Sequence, residues 1–248
     1  MGLRSLYKVF NETRKAAREQ ATLAVVGDSP RAAEIAGLLG AQRGTTGAEI
    51  VLSVSGDSIT LSGKAVDDPG EIPLPAGGDA LLRELTHRVV QALDEDYLVA
   101  LAKGYPPFRR AACEELIRHN ARQNAVIGAL PIPGADMPVM TANQARMVLN
   151  IAAAYGEELS MERARELLGV LAAGFGLRAL ARQAVKLVPL GGWAAAGVIG
   201  YAGTIAMGRA TILYFERGGQ RVGEREMAEI RRRALEEGRT FVSRLRRR

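Results

Sequence analysis

Cysteine and histidine are scarce in this chain, and that scarcity excludes several kinds of site. The single cysteine, Cys113, excludes an internal disulfide and a zinc site built from cysteines. Two histidines, His87 and His119, leave little for metal binding, and no Ser–His–Asp arrangement follows from their spacing. We therefore expect no metal, no cofactor and no catalytic residues, and hence a protein that is not an enzyme.

Aromatic residues are also few. They make up 5% of the 248 residues, whereas hydrophobic residues make up 48% and there are 28 glycines. The apolar content is therefore largely Ala, Val, Leu and Gly, which suits closely packed helices better than an aromatic-rich β core. The sequence predicts a mostly α fold, a helical bundle with apolar Gly/Ala-rich helices, plus a small α/β unit of the βαβ type near the N-terminus.

The N-terminal residues show neither a secretory nor a myristoylation pattern. Charged residues interrupt any apolar h-region, and Leu6 stands where the myristoylation pattern needs Ser or Thr. We expect the chain to begin in the cytoplasm.

Hydrophobic periodicity divides the chain into four segments. They are a basic amphipathic helix (1–20), a small degenerate α/β unit (21–79), a helical domain (80–215) and a charged, basic C-terminal helix (216–248).

The α/β unit is predicted from short apolar runs separated by turns. Strands are expected at 22–28, 48–57 and 58–63, and a polar loop at 66–79. Ser29 and Pro30 are typical of a helix start, and the helix 31–40 is expected to end on its last residue, a glycine.

Beyond that loop the pattern is helical almost to the end of the chain. Prolines and glycines delimit the helices, and a proline-rich break is expected at 131–138. The predicted helices are 80–104, 108–130, 141–155, 160–188 (one helix or two), 190–218 and 220–245.

The turn after the first strand is a candidate phosphate site. Gly27, Asp28 and Ser29 lead from the strand into a helix N-terminus, an architecture that holds phosphates. A working P-loop is absent, because Ala32–Glu34 stands where its second glycine, lysine and hydroxyl belong. We interpret the turn as structural, with residual phosphate binding as the alternative.

Asp136 is the lone carboxylate in an apolar run. A carboxylate in apolar surroundings can have a raised pKa and handle protons. However, an Asp just before a helix start commonly caps that helix. We predict a helix cap, with a buried partner such as Arg146 or Gln144, or catalysis, as the alternatives.

The uncharged stretch 187–208 has the length of a membrane span. Small residues recur at every fourth position, a pattern that lets two helices approach closely. The stretch favours membrane association, and a buried central helix of a soluble bundle is the competing interpretation. The helix-packing stripe consists of Gly192, Ala196, Gly200, Thr204 and Gly208.

Both ends of the chain are basic. Residues 216–248 contain 11 arginines and six glutamates, and the helix at 3–20 carries several basic residues. Such charge suits an anionic membrane surface, while helices of this kind also pack on their own domain or remain solvated. Nucleic acid is disfavoured as a partner, because aromatic residues are not interleaved with the arginines.

The segments YPPFRR (105–110), NAVIGALPIPGADMPVMTANQARMVLNIAAAYG (124–156) and LGGWAAAGVIGYAGTIAMGRATILYF (190–215) carry a family resemblance. They resemble the bacterial domain of unknown function 697, which is seen in YcjF-type membrane proteins and behind Era-like GTPase domains. The resemblance covers Tyr105 to Phe215. It implies a helical, membrane-associated module that accompanies GTPases, and it brings no catalytic residues. It also suggests that the strand–turn–helix at 22–40 is a degenerate GTPase remnant.

Three functions remain open. The first is a non-enzymatic, membrane-associated scaffold or partner of a GTPase-type system at the cytoplasmic face. The second is a soluble nucleotide- or phosphate-binding regulator in the cytoplasm. The third is a soluble helical bundle that forms homo-oligomers through its glycine stripe.

Overall fold

We describe the protein from a computed structural model. It describes residues 7, 9–11, 13, 21–44, 47–74, 77–129, 136–158, 160–162, 164–167, 169 and 192–245. The chain divides into two compact units. The sheet unit comprises residues 15–115 and 153–156, and the helical unit comprises residues 1–14, 116–152 and 157–248. The mostly α fold with a small α/β part is confirmed.

The sheet unit contains a five-stranded mixed sheet with strand order β2-β1-β3-β4-β5. Strand β1 pairs in parallel with β2 and β3, whereas β3, β4 and β5 form an antiparallel meander. The strands are β1 (Leu23–Val26), β2 (Gln42–Arg43), β3 (Ile50–Ser55), β4 (Ser58–Ser62) and β5 (Glu71–Pro73).

Helix α1 (Pro30–Leu39) connects β1 to β2 and begins and ends as its sequence predicts. The Ser29 side chain accepts a hydrogen bond from the Ala32 N–H, and Pro30 occupies the first helical position. Gly40 ends the helix in the left-handed conformation, at φ 65°. The short strands β2 and β5 were not predicted, since each pairs only three residues or fewer at an edge of the sheet.

Glu49, just before β3, is hydrogen-bonded to Thr22, just before β1. Its carboxylate accepts hydrogen bonds from the Thr22 hydroxyl and from the Thr22 backbone N–H, the latter at 2.8 Å. The Lys64 ammonium lies 3.0 Å from the same carboxylate. The Thr22 hydroxyl, and then Lys64, lower the pKa of Glu49 from 4.5 to about 2.

The predicted helix 80–104 is wrong as a single helix, because the chain breaks between α2 (Asp79–Ala92) and α3 (Glu95–Gly104). Leu93 is extended and forms an isolated bridge with Val66. The Asp94 side chain then accepts from the Asp96 N–H and caps α3. Pairing with the loop after β4 therefore interrupts the helix at Leu93 and Asp94. The predicted domain boundary at 79/80 falls within the sheet unit, which includes both helices.

After a short 3-10 turn (Pro106–Phe108), α4 (Arg109–Ala129) carries the chain into the helical unit. The further helices are α5 (Asp136–Ala154), α6 (Gly192–Glu216) and α7 (Glu224–Leu245). Helix α5 begins five residues earlier than predicted. Pro138 is compatible with this start because the N–H groups of a first helical turn have no intrahelical partner.

The described residues between 7 and 13 are helical, and two of them join the core of the helical unit. Val9 and Phe10 pack with Ala145 and Leu149 of α5 and with Ala164. This part of the predicted N-terminal amphipathic helix therefore packs on its own unit, while Tyr7 is 60% exposed. Most of the predicted helix 160–188 lies outside the described residues.

Candidate functional site

The turn between β1 and α1 brings the three candidate phosphate-site residues together. Gly27 has φ 143°, and a Cβ there would lie 2.9 Å from the Val54 carbonyl oxygen, so only glycine fits. The Ser29 hydroxyl lies 3.2 Å from the Ala32 N–H that it caps. Asp28 is exposed beside them.

This turn is poorly equipped to hold an anion. Ser29 already occupies one of the N–H groups that a phosphate would use, and the carboxylate of Asp28 adds negative charge at the helix N-terminus. The Arg43 guanidinium donates a hydrogen bond of 2.5 Å to the Gly27 carbonyl oxygen. This hydrogen bond stabilises the turn between β1 and α1.

Four of the stripe residues, Ala196, Gly200, Thr204 and Gly208, contact α4 of the same chain. A Cβ on Gly200 would lie 2.5 Å from the Asn124 carbonyl oxygen, and one on Gly208 would meet the side chain of Ile117. On the facing helix, a Cβ on Gly128 would lie 3.0 Å from the Ala196 carbonyl oxygen. The two helix backbones therefore approach as closely as small residues permit.

A neighbouring side of α6 packs on α7. Ala194, Val198 and Val242 form a buried cluster, and the rings of Tyr201 and Phe241 stack with centroids 4.8 Å apart. Within the described ranges, one helical stretch is long and apolar enough to cross a membrane, Ala194–Glu216, and 72% of its apolar window is buried in the protein. Helix α6 is therefore mostly enclosed by the other helices of this unit.

A buried polar network crosses the middle of this packing, and sequence reasoning missed it. The Asn124 amide donates to the Thr204 hydroxyl at 2.9 Å, and the Gln144 amide donates to the same oxygen at 3.3 Å. The Asn143 amide donates to Asn124 Oδ1 at 3.2 Å, and the Thr204 hydroxyl donates to the Gly200 carbonyl at 2.8 Å. The one detectable signal was the hydroxyl of Thr204 in the uncharged stretch 187–208.

The two buried side chains at the centre of the network find their hydrogen-bond partners within the helical unit. Thr204 and Asn124 are fully buried, and each of their hydrogen-bonding groups named above has a partner from another helix or from its own turn. Such a network specifies how α4, α5 and α6 align, because any slip along an axis leaves polar groups unpaired.

Asp136 is the first residue of α5, at the helix N-terminus where a capping residue was predicted. Its side chain lies outside what the structure describes, and capping stays a prediction. Gly192, which begins the helix-packing stripe, is the first residue of α6.

One end of the helical unit collects exposed apolar side chains. The C-terminal ends of α4 and α7 meet the N-terminal ends of α5 and α6 here: Gly128 lies against Ala196, Met140 against Gly200, and Val242 against Ala194. Three large apolar residues within one helical turn of these ends are about half exposed. We call them the apolar end: Val126 (52%), Val139 (48%) and Leu245 (48%).

Titratable groups do not gather into a metal site in the part of the chain that the structure describes. No three His, Cys, Asp or Glu side chains lie close enough together there. Cys113 is buried in α4. Strong pKa shifts occur instead in surface ion pairs of α7, where Arg232 and Arg233 lower the pKa of Glu229 to about 2.

A family model described as "Domain of unknown function (DUF697)" matches residues 94–240, which is more than half of the chain. The match begins at the N-cap of α3 and ends within α7. No curated protein and no solved structure matches the chain.

Proposed function

The chain belongs to the DUF697 family, and we propose that it is a non-enzymatic helical protein that binds the cytoplasmic face of a membrane. There it acts as a scaffold or partner for a GTPase-type system. The observation that carries the proposal is the apolar end, where Val126, Val139 and Leu245 are about half exposed while the apolar helix α6 is mostly enclosed.

The non-enzymatic part of the proposal is supported by how the polar groups are used. Ser29 caps its own helix, and Asn124, Asn143, Gln144 and Thr204 bond to one another. These groups serve the fold, which supports a role other than catalysis.

The mode of membrane association follows from the packing of α6. A spanning helix would have to expose its apolar side chains to lipid, and α6 would lose its contacts with α4 and α7 in doing so. A folded helical unit that touches the bilayer with its apolar end keeps those contacts. We therefore favour surface association over insertion of α6.

Fractionation of cells that express the full chain tests this proposal. We expect the protein in the membrane pellet, partly retained by a high-salt wash and released by carbonate. Resistance to both washes would overturn surface association in favour of a spanning α6. A protein that stays entirely in the soluble fraction would overturn membrane association itself.

The GTPase partner rests on the family resemblance. Cross-linking in cells from an exposed residue of the sheet unit, such as Leu38 (41% exposed), tests it. We expect to identify a cross-linked protein with a complete G-x-x-x-x-G-K-[ST] loop. The yield of this cross-link should differ between the GTP-bound and GDP-bound forms of that protein. Cross-links that never include such a protein would contradict this part. The proposal that the sheet unit is a GTPase remnant rests only on its strand–turn–helix start.

A soluble helical bundle is an alternative, and the enclosure of α6 favours it. Self-association through the stripe would compete with α4 for Gly200, Thr204 and Gly208. Light scattering of the purified chain separates the cases: a monomer excludes oligomerisation at the tested concentration. Titration calorimetry with GTP, ATP and inorganic phosphate tests the other alternative, a nucleotide-binding regulator, for which the β1–α1 turn offers weak support.

A further inference from the structure

The charges of α7 divide the helix into two unlike halves. Four glutamates of residues 226–237 form ion pairs with arginines; Arg217 lies 2.6 Å from Glu226 and Arg232 lies 2.8 Å from Glu229. From residue 239 to residue 248 the sequence contains five arginines and no acidic residue. Arg239 and Arg244 are exposed on this second half.

The basic half of α7 lies at the apolar end. Val242, between these two arginines, packs against Ala194 and Val198 near the start of α6. The sequence around the ends of α4 and α5 is nearly free of acidic residues, since Asp136 is the one carboxylate in residues 125–145. Positive charge and exposed aliphatic side chains therefore occur together at this end.

We propose, on the basis of the proposed membrane association, that this end binds a bilayer that contains anionic lipid. Val126, Val139 and Leu245 enter the boundary between headgroups and acyl chains, and the guanidinium groups of Arg239 and Arg244 contact lipid phosphates. Apolar burial and attraction to anionic lipid act together in such surface binding. Helix α6 stays enclosed by α4 and α7 in the bound state.

The side-chain chemistry selects lipid over nucleic acid. The large apolar residues exposed at this end are aliphatic, so they offer bases no ring to stack on and gain nothing from a phosphate backbone. In a bilayer the same side chains leave water. Arginine suits the phosphate contact because its planar guanidinium donates two parallel hydrogen bonds.

Flotation of the full chain with vesicles tests the proposal. The vesicles are phosphatidylcholine alone or phosphatidylcholine with about 30% phosphatidylglycerol, an anionic lipid. The apolar contact is tested with Val126→Asp plus Val139→Asp, and Leu38→Asp on the sheet unit is the matched control. The charge contact is tested with Arg239→Gln plus Arg244→Gln. The control is Arg221→Gln plus Arg225→Gln, near the other end of α7, which removes the same number of positive charges.

We expect wild type to float with the anionic vesicles and to be released only in part by salt, since salt screens the charge contact and leaves the apolar contact. The valine pair should weaken that binding about tenfold or more, and the arginine pair about tenfold, through loss of apolar burial and of phosphate contact respectively. The two controls should bind as wild type does. Circular dichroism and thermal unfolding confirm that each variant is folded.

The possible failures are distinguishable. Wild type that floats with neither vesicle would overturn the proposed membrane association and this inference with it. Wild type that floats while the valine pair binds equally well would overturn only the assignment to the apolar end. Equal weakening by both arginine pairs would show that net charge acts without regard to position, and it would overturn the assignment of Arg239 and Arg244.

Discussion

Asn124 of α4 donates its side-chain amide to the hydroxyl of Thr204 of α6 across 2.9 Å, and neither side chain is exposed to solvent. The same turn of α6 contains Gly200, whose missing side chain lets the Asn124 carbonyl approach. The hydrogen bond and the close backbone contact that Gly200 permits therefore occur at the same crossing of the two helices. This crossing fixes the axial alignment of α4 and α6, and the first two predictions test it.

Thr204→Val should destabilise the protein by about 1–3 kcal/mol, because it removes the hydroxyl and leaves buried amides of Asn124 and Gln144 without their acceptor. Chemical denaturation measures the loss. Thr240→Val is the matched control, since the Thr240 hydroxyl also bonds the carbonyl four residues earlier but lies on an exposed face of α7. Equal effects at the two positions would contradict a special role for the buried network.

Gly200→Ala should cost about 1–3 kcal/mol, because the new methyl group would overlap the backbone carbonyl oxygen of Asn124. Gly208→Ala should cost a similar amount, since the new methyl group would overlap Cγ1 of Ile117, a buried β-branched side chain. Gly37→Ala in α1 is the control. Nothing lies within 4 Å of its Cβ position, and the substitution should stabilise by roughly 0.5–1 kcal/mol. Thermal unfolding ranks the three, and a Gly200→Ala protein as stable as wild type would refute the close approach.

Glu49 should make the stability of the sheet unit depend on pH. Its pKa is lowered from 4.5 to about 2 in the folded protein, so the ionised carboxylate favours folding above about pH 4.5. That contribution is lost as the pH falls from 4.5 toward 2. Glu49→Gln should lower stability at neutral pH and show a shallower loss on acidification, measured as the urea midpoint at a series of pH values. Glu71→Gln on the exposed edge strand β5 should keep the wild-type profile, and parallel profiles for wild type and Glu49→Gln would contradict the role of this carboxylate.

Ser29→Ala should cost about 1 kcal/mol, the typical value for loss of an N-cap. Ser62→Ala, at an exposed position of β4, should be nearly neutral. The measurement is the shift of the urea midpoint. If Ser29→Ala left stability unchanged, the hydroxyl would be free for another use and the phosphate interpretation of this turn would regain support.

Local signals in the sequence were sufficient where neighbouring residues determine the structure. Ser29, Pro30 and Gly40 define α1 by their own hydrogen-bonding and backbone preferences, and the structure confirms each of them. The uncharged run predicted the long helix that is observed as α6. The spacing of small residues predicted a close helix contact, and its partner within this chain proved to be α4.

The errors occurred where distant contacts decide the structure. The break between α2 and α3 depends on the bridge from Leu93 to Val66, and the buried network depends on residues about 20 to 80 positions apart. Asn124 and Gln144 looked like ordinary polar positions of amphipathic helices, because nothing adjacent to them in sequence shows that they are enclosed.

The sequence by itself determined the helical class, the start and end of α1, the family to which the chain belongs and the basic character of its C-terminal end, since composition and short-range pattern are enough for each. The tertiary structure alone decided that α6 is enclosed by α4 and α7, that an amide–hydroxyl network aligns three helices, and that Val126, Val139 and Leu245 lie at the same end as Arg239 and Arg244. Burial and proximity depend on which helix faces meet, and that choice minimises exposed apolar surface and unpaired polar groups over a whole unit.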